Sequence, residues 1–146
     1  MYIRRRAPDV VTAMSDNVSK MQEMYAAFGR GDIATILDNV TDDVTWGTDT
    51  VINGEIPWYR IRSGREGVAD FFATLAREID FEKFEPVSFV GSDDTVYVHV
   101  DYQYKFRKNG AGAPTQGVHQ YKMREGKVAQ FRAFEDTAAI LDAWNG

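Results

Sequence analysis

Apolar residues recur at intervals of three and four in three segments of the first half of the chain, as is typical of amphipathic helices. The first segment is residues 16–28, the second follows Asp32, and the third begins near Ser63 or Gly64 and ends near Ile79. The apolar stripe of the first segment consists of Val18, Met21, Tyr25 and Phe28. We predict three helices, with a turn and a short strand at residues 42–47 before the third.

In the second half of the chain, apolar and polar residues alternate, which indicates strands. The predicted strands begin near Phe84 and continue at 95–107, 115–124 and 127–135, with turns at 108–114 and at Glu125-Gly126. A last helix is expected at 137–144. Helices followed by antiparallel strands predict an α+β domain, in which helices pack on one face of a single sheet.

Composition narrows the class of protein. The chain has 146 residues, 44% of them hydrophobic, which suits one domain with a sizeable core. The net charge is −5 and no basic face stands out, so we expect no nucleic-acid partner. No apolar run approaches the roughly 20 residues that cross a bilayer, so we expect a cytoplasmic protein without membrane contact. We assign residues 16–146 to the domain and residues 1–15, which begin with a basic segment, to an N-terminal extension.

Polar residues interrupt two of the predicted strands. His99, Asp101 and Gln103 share one strand face, and His119 shares another with Tyr121. If the two strands form a hairpin centred near Ala111, Gln103 lies opposite His119, and Asp101 is the diagonal neighbour of His119. A histidine beside a carboxylate is a candidate acid/base pair, although the turn at 108–114 could change this register.

The same residues are also the right types for a metal site, but they lack a ligand-spacing motif. We therefore predict no metal and no cofactor. The alternative to a catalytic role is a structural one. Each histidine would then be a hydrogen-bonded polar residue, and Asp101 would form an ion pair.

The other face of the strand at 95–107 is apolar, with Val98, Val100, Tyr102, Tyr104 and Phe106. A sheet that is apolar on both faces needs a second cover. We expect a second subunit to supply it, which predicts a homodimer packed sheet against sheet.

Several aromatic residues are candidates to line a pocket: Trp46, Trp58, Tyr59, Phe72 and Tyr121. Each could equally be part of the core. Trp58 and Tyr59 are the stronger candidates for ligand contact, because they lie in the irregular segment 48–63, where there is less core to fill.

Three stretches carry a resemblance to a known family. They are Tyr25–Ile33; Thr41–Trp46 followed by Gly64–Phe72; and Arg124–Arg132 with Phe134–Asp136. Together they resemble the NTF2-like superfamily, in its SnoaL-like and ketosteroid-isomerase-like branch related to polyketide cyclases. The resemblance implies a cystatin-like cone, in which a curved, mostly antiparallel sheet wraps around three helices and leaves an apolar pocket at its open end. Members of the family include enzymes and non-catalytic binding domains, so the fold alone does not give the function.

Two activities within the family place their residues differently on this chain. Ketosteroid isomerases use a carboxylate base, a tyrosine and a protonated carboxylic acid. The resemblance puts these positions on Thr48 (with Asp49 beside it), on Met24 or Tyr25, and on His119. Threonine cannot take up a proton, so steroid isomerisation would require Asp49 in its place.

Limonene-type epoxide hydrolases use an arginine and an aspartate two residues apart, and a second aspartate on the last strand. The resemblance puts these positions on His99, Asp101 and Ala133. With alanine at the last position, half of that machinery is missing unless His119 or Glu135 substitutes for it.

Polyketide cyclisation requires only an acid/base residue in an apolar cavity. Our leading interpretation is therefore a small-molecule pocket protein, acting as a cofactor-independent isomerase, cyclase or hydrolase on an apolar, oxygenated, polyketide- or steroid-like ligand. Asp101, His119 and Tyr25 are the predicted catalytic residues. His99, Gln103, Asp49 and the aromatic candidates are predicted to bind the substrate. The alternative is a non-catalytic ligand-binding or dimerisation domain.

Overall fold

The computed structural model describes the backbone of residues 8–47 and 55–146, and the side chains from residue 14 onward within those ranges. Its helices are α1 (Pro8–Gly29), α2 (Ile33–Asp38), α3 (Gly64–Glu78) and α4 (Thr137–Asn145). Its strands are β1 (Val40–Trp46), β2 (Arg62–Ser63), β3 (Ile79–Ser92), β4 (Thr95–Phe106), β5 (Gly112–Arg124) and β6 (Lys127–Glu135).

The strands form one curved, open sheet in the order β2-β1-β6-β5-β4-β3. The pair β1 and β6 is parallel, and all other neighbours are antiparallel. Helix α1 packs on β3 and β4, whereas α3 packs on β1 and β2. The predicted α+β architecture, with helices inside a curved sheet, is confirmed.

Helix α1 begins earlier than the apolar stripe predicts, at Pro8 rather than Asp16. Proline is favoured in the first turn of a helix, because it has no backbone N–H that would lack a partner there. The helix ends at Gly29, and Gly31 adopts a φ of 76°, which few other residues tolerate. Asp32 then caps α2 by accepting a hydrogen bond from the backbone N–H of Thr35 at 3.1 Å.

The predicted register of the β4–β5 hairpin is wrong. His119 lies opposite Val98, five positions from Gln103, and Gln103 lies opposite Pro114. The cause is the turn, because the ladder continues to the pair Lys105 and Gly112. A shift by an odd number of residues moves a strand's side chains to the other face. His119 therefore lies on the face opposite to that of Asp101, not beside it.

The apolar face of β4 is the inner face of the sheet, so the argument that a second subunit must cover it is wrong. Val98, Val100 and Tyr102 are almost completely buried. Helix α1 of the same chain packs on β4, and Trp58 and Trp144 contact Tyr104 and Phe106 on this face. The outer face of β4 instead carries His99, Asp101 and Gln103.

One buried cation anchors residues 57–60, the segment just before β2. Arg62 is 7% exposed, and its guanidinium donates to the carbonyl oxygens of Pro57, Trp58 and Arg60 at 3.2–3.4 Å. It also donates to the carboxylate of Asp70 at 2.9 Å. Because this segment carries Trp58 and Tyr59, Arg62 fixes where those side chains lie.

We predict that Arg62→Met lowers the free energy of unfolding by about 3 kcal/mol, because three carbonyl groups of a packed segment lose a charged donor. Asp70→Asn removes the charge of an exposed partner of the same guanidinium and should cost much less. Urea unfolding of both variants measures the difference. Equal losses would contradict the anchoring role of Arg62.

Candidate active site

A cavity of about 80 Å³ lies between the helices and the inner face of the sheet. Its walls come from α1, α2, α3, the segment before β2, and every strand except β2. Most lining side chains are apolar or aromatic. The groups that can exchange protons or carry charge lie in two clusters, one around His119 and one around Glu135. At about 10–15 Å³ for each water, the empty cavity has room for several water molecules or for a small ligand.

The first cluster is a chain of three hydrogen-bonding groups. The hydroxyl of Tyr25 lies 2.5 Å from Nδ1 of His119 and 2.8 Å from the hydroxyl of Tyr121. Tyr25 comes from α1, and the other two residues are on β5, two positions apart and hence on one face. The register of β5 and the position of α1 therefore assemble this cluster.

Burial controls the protonation of the His119 cluster. It lowers the pKa of His119 to about 4, so the imidazole is neutral at pH 7. His119 is half-buried, and it lines the cavity. Burial also raises the pKa of Tyr25, and that of Tyr121, well above the ordinary tyrosine value. All three groups are therefore neutral near pH 7.

Two proton arrangements satisfy this neutral chain. In the first, Tyr121 donates to Tyr25, Tyr25 donates to Nδ1 of His119, and Nε2 carries the remaining proton. In the second, Nδ1–H donates to Tyr25, Tyr25 donates to Tyr121, and Nε2 has a free lone pair. His119 is an acid at Nε2 in one arrangement and a base in the other. The chain can therefore exchange protons without forming a buried charge.

The second cluster surrounds Glu135, at the end of β6. Tyr59 donates to Oε1 of its carboxylate at 2.6 Å, and Tyr104 donates to Oε2 at 2.9 Å. Tyr102 donates to Oε2 as well. Burial, and after it the negative charge of Glu135, raises the pKa of each of these tyrosines. Three donors on two oxygens suit an ionised carboxylate, which accepts hydrogen bonds only.

A glycine makes room for one of these contacts. A Cβ atom on Gly117 would lie 2.5 Å from the hydroxyl oxygen of Tyr102, which is closer than any real Cβ contact. The absence of a side chain at Gly117 therefore allows Tyr102 to reach Glu135. The rings of Tyr102 and His119 lie 6.1 Å apart, so Tyr102 also stands between the two clusters.

The structure brings most of the sequence-predicted residues to the cavity. Tyr25 and His119 are in contact, and the five aromatic candidates all line its wall: Trp46, Trp58, Tyr59, Phe72 and Tyr121. The indole N–H of Trp46 is buried and has no hydrogen-bond partner within the described residues. It is therefore a donor that a ligand oxygen could satisfy.

Three predicted residues lie elsewhere, on the outer face. The carboxylate of Asp101 pairs with the ammonium of Lys83 at 2.7 Å, so the predicted Asp101–His119 contact is absent from the structure. His99 Nε2 lies 2.8 Å from Oε1 of Gln116, and Gln103 is also on this face. The physical reason is the β4–β5 register. Thr48 and Asp49 lie outside the described residues.

The sequence analysis did not predict the contacts of Glu135 with Tyr59, Tyr102 and Tyr104. One signal was available, because Phe131, Ala133 and Glu135 alternate along one strand face. The contact with Tyr59 could not be read in this way, because that residue comes from an irregular segment.

Within residues 14–47 and 55–146, no group of three or more histidine, aspartate or glutamate side chains is arranged to hold a metal ion. None of the helices in the described part of the chain has the length and apolar character needed to span a bilayer.

A family model described as the SnoaL-like domain matches residues 21–131. The chain belongs to this family. The match covers both clusters except Glu135 itself, and it confirms the NTF2-like fold that the sequence predicts. A search of curated proteins found no match.

Solved structures similar to this SnoaL-like protein share its fold at low sequence identity. An NTF2-like protein of unknown function from Burkholderia pseudomallei has a TM-score of 0.81 and 23% identity, covering 91% of this chain and 100% of that one. The protein TerC, co-crystallised with polyporic acid, has a TM-score of 0.79 and 24% identity, covering 90% and 99%. A Xanthomonas campestris protein provisionally described as a polyketide cyclase has a TM-score of 0.76 and 15% identity, covering 90% and 98%.

Proposed function

We propose that this SnoaL-like protein is a cofactor-independent enzyme that moves protons on a small, mostly apolar, oxygenated substrate, as an isomerase or a polyketide-type cyclase does. The observation that carries this proposal is the Tyr25–His119–Tyr121 chain, which lies in an apolar cavity with the imidazole held neutral. A neutral histidine is able to take up a proton, and desolvation keeps water from competing for it.

The chemistry follows from the two proton arrangements. Nε2 of His119 removes a proton from a carbon next to a carbonyl group. The Nδ1 proton passes to Tyr25, the proton of Tyr25 passes to Tyr121, and Tyr121 donates its own proton to the carbonyl oxygen. The product is a neutral enol, and the reverse sequence returns the proton to carbon at the same or another position. No charged intermediate is required, which suits groups that are costly to ionise here.

The neighbours support a small organic ligand. TerC was crystallised with polyporic acid, and the Xanthomonas protein is described as a cyclase. A polyketide- or steroid-like ring compound would suit the aromatic walls of this cavity. Its oxygen atoms would find donors in Tyr121 and in the unpartnered N–H of Trp46.

A second candidate function is a non-catalytic ligand-binding domain. It is favoured by the raised pKa of Tyr25, and by that of Tyr121, because tyrosines that resist ionisation are weak proton donors. The contacts of Glu135 favour it as well, because a carboxylate that already accepts hydrogen bonds from three hydroxyl groups is less available as a base. Such a domain would bind the same ligands without turning them over.

The two functions differ in proton exchange. We predict that the protein accelerates exchange of α-protons for deuterium in at least one member of a panel of cyclic ketones and 1,3-diketones, followed by proton NMR in D₂O. His119→Gln should slow this exchange by about 100-fold or more, which is the usual contribution of an acid/base group. Asp101→Asn is the matched control on the outer face and should change little.

Exchange in the His119→Gln variant as fast as in the parent would contradict this assignment. Ligand binding without any acceleration by the parent protein would favour the non-catalytic domain.

We also propose that the protein is a cytoplasmic homodimer that pairs through the outer face of the sheet. Val118 and Phe134 are cross-strand partners there, and they are 39% and 47% exposed. Tyr97 lies on the same face and is 38% exposed. Contiguous exposed apolar side chains of this kind mark association surfaces.

Light scattering after size-exclusion chromatography should give twice the mass of one chain, and Val118→Lys should give one chain mass. Val87→Lys places the same charge on β3 at the sheet edge, at a residue that is 57% exposed, and should leave the dimer intact. A parent protein that elutes with the mass of one chain would rule out this dimer.

A further inference from the structure

The cavity has an unbalanced charge. Among its described lining residues there is no lysine or arginine, and His119 is neutral near pH 7. The ionised carboxylate of Glu135 is therefore the one full charge facing this space, in the part of the chain that the structure describes. Its partners are three neutral hydroxyl groups, which satisfy its oxygens without cancelling its charge.

The tyrosines around Glu135 present acceptors, not donors, to anything that enters. Each has a single hydroxyl proton, and that proton points to the carboxylate. What remains towards the cavity are oxygen lone pairs and ring faces, both of which carry partial negative charge. A ligand group that binds these phenol oxygens must therefore donate hydrogen bonds, and the one unpartnered buried donor among the described residues at this end is the indole N–H of Trp58.

Aromatic rings enclose this end of the cavity. The rings of Tyr102 and Tyr104 lie 5.0 Å apart, and those of Trp58 and Tyr59 lie 5.8 Å apart. Trp58 and Tyr104 connect the two pairs at 6.1 Å. Aromatic faces around a carboxylate attract a cation through both the ring quadrupoles and the full charge.

We propose that the Glu135 end of the cavity binds the protonated amine of a small ligand. This inference rests on the proposed function, since it takes the same cavity as the substrate site, and it adds the substrate class: an amine-bearing compound whose reacting carbon lies towards His119. An ammonium group donates hydrogen bonds to the phenol oxygens and to Glu135, and it neutralises the charge of that carboxylate. An anionic ligand meets repulsion from Glu135 and finds no lysine or arginine to pair with among the described lining residues.

Three probes of similar size test the proposal: 2-phenylethylamine, 2-phenylethanol and phenylacetate. Their dissociation constants are measured by NMR titration at pH 7.5. We expect the amine to bind about tenfold more tightly than the alcohol, and phenylacetate to bind most weakly. Equal binding of the amine and the alcohol, tighter binding of phenylacetate, or no binding by any probe would overturn the proposal.

Three variants then test whether the charge of Glu135 causes the preference for the amine. Glu135→Gln should weaken amine binding by about tenfold and change alcohol binding little. Asp101→Asn removes the same unit of charge from the outer face and should leave amine binding unchanged. Tyr59→Phe removes one donor but keeps the carboxylate, so the preference for the amine should persist even if Glu135→Gln fails to fold. Loss of that preference in Tyr59→Phe, or equal effects of Glu135→Gln and Asp101→Asn, would contradict the assignment.

The outcomes separate this proposal from the proposed function. If the alcohol binds as well as the amine while exchange still depends on His119, the amine site fails and the enzyme assignment stands. If the amine is selected but no ketone undergoes catalysed exchange, the amine site stands and the enzyme assignment fails.

Discussion

The cavity depends on the hydrogen-bonded register between β4 and β5. With Val98 opposite His119, the inner face of the sheet receives one histidine from β5 and the tyrosines of β4. A shift of one residue in either strand would move its polar and apolar side chains to opposite faces. A shift of β5 would take His119 out of the cavity and away from Tyr25. A shift of β4 would turn Val98 and Val100 to the outer face, which is incompatible with their complete burial.

Once that register is set, desolvation decides how the polar groups behave. The hydroxyl, imidazole and carboxylate groups that line the cavity bond to one another, because leaving a desolvated polar group without a partner is costly. The result is two separate networks, one neutral around His119 and one anionic around Glu135. Tyr102 lies between them, and the missing side chain at Gly117 gives it the space to do so. The proton exchange that we propose at one end and the amine binding that we propose at the other would together hold a substrate in one orientation.

Local sequence patterns predicted much of this architecture. They could not predict which residues of distant elements face each other. The spacing of Val18, Met21 and Tyr25 predicted the inner face of α1, and alternation placed His119 and Tyr121 on one face of β5 correctly. Alternation could not show which faces of β4 and β5 coincide, because the turn between them sets the register. Asp101 was therefore paired with the wrong residue. The Glu135 cluster joins β6, β4 and an irregular segment, and no short-range pattern links those three.

The chemistry of the site depends on His119 being a neutral imidazole inside a desolvated cavity. The chain has only two histidines, so its imidazole resonances can be assigned by comparison with His119→Gln. Their chemical shifts would be followed by ¹H–¹⁵N NMR from pH 8 to pH 3.5. We expect His119 to stay neutral until the pH approaches its lowered pKa of about 4. A midpoint near the ordinary value of about 6.5 would show a solvated imidazole and would contradict a desolvated His119.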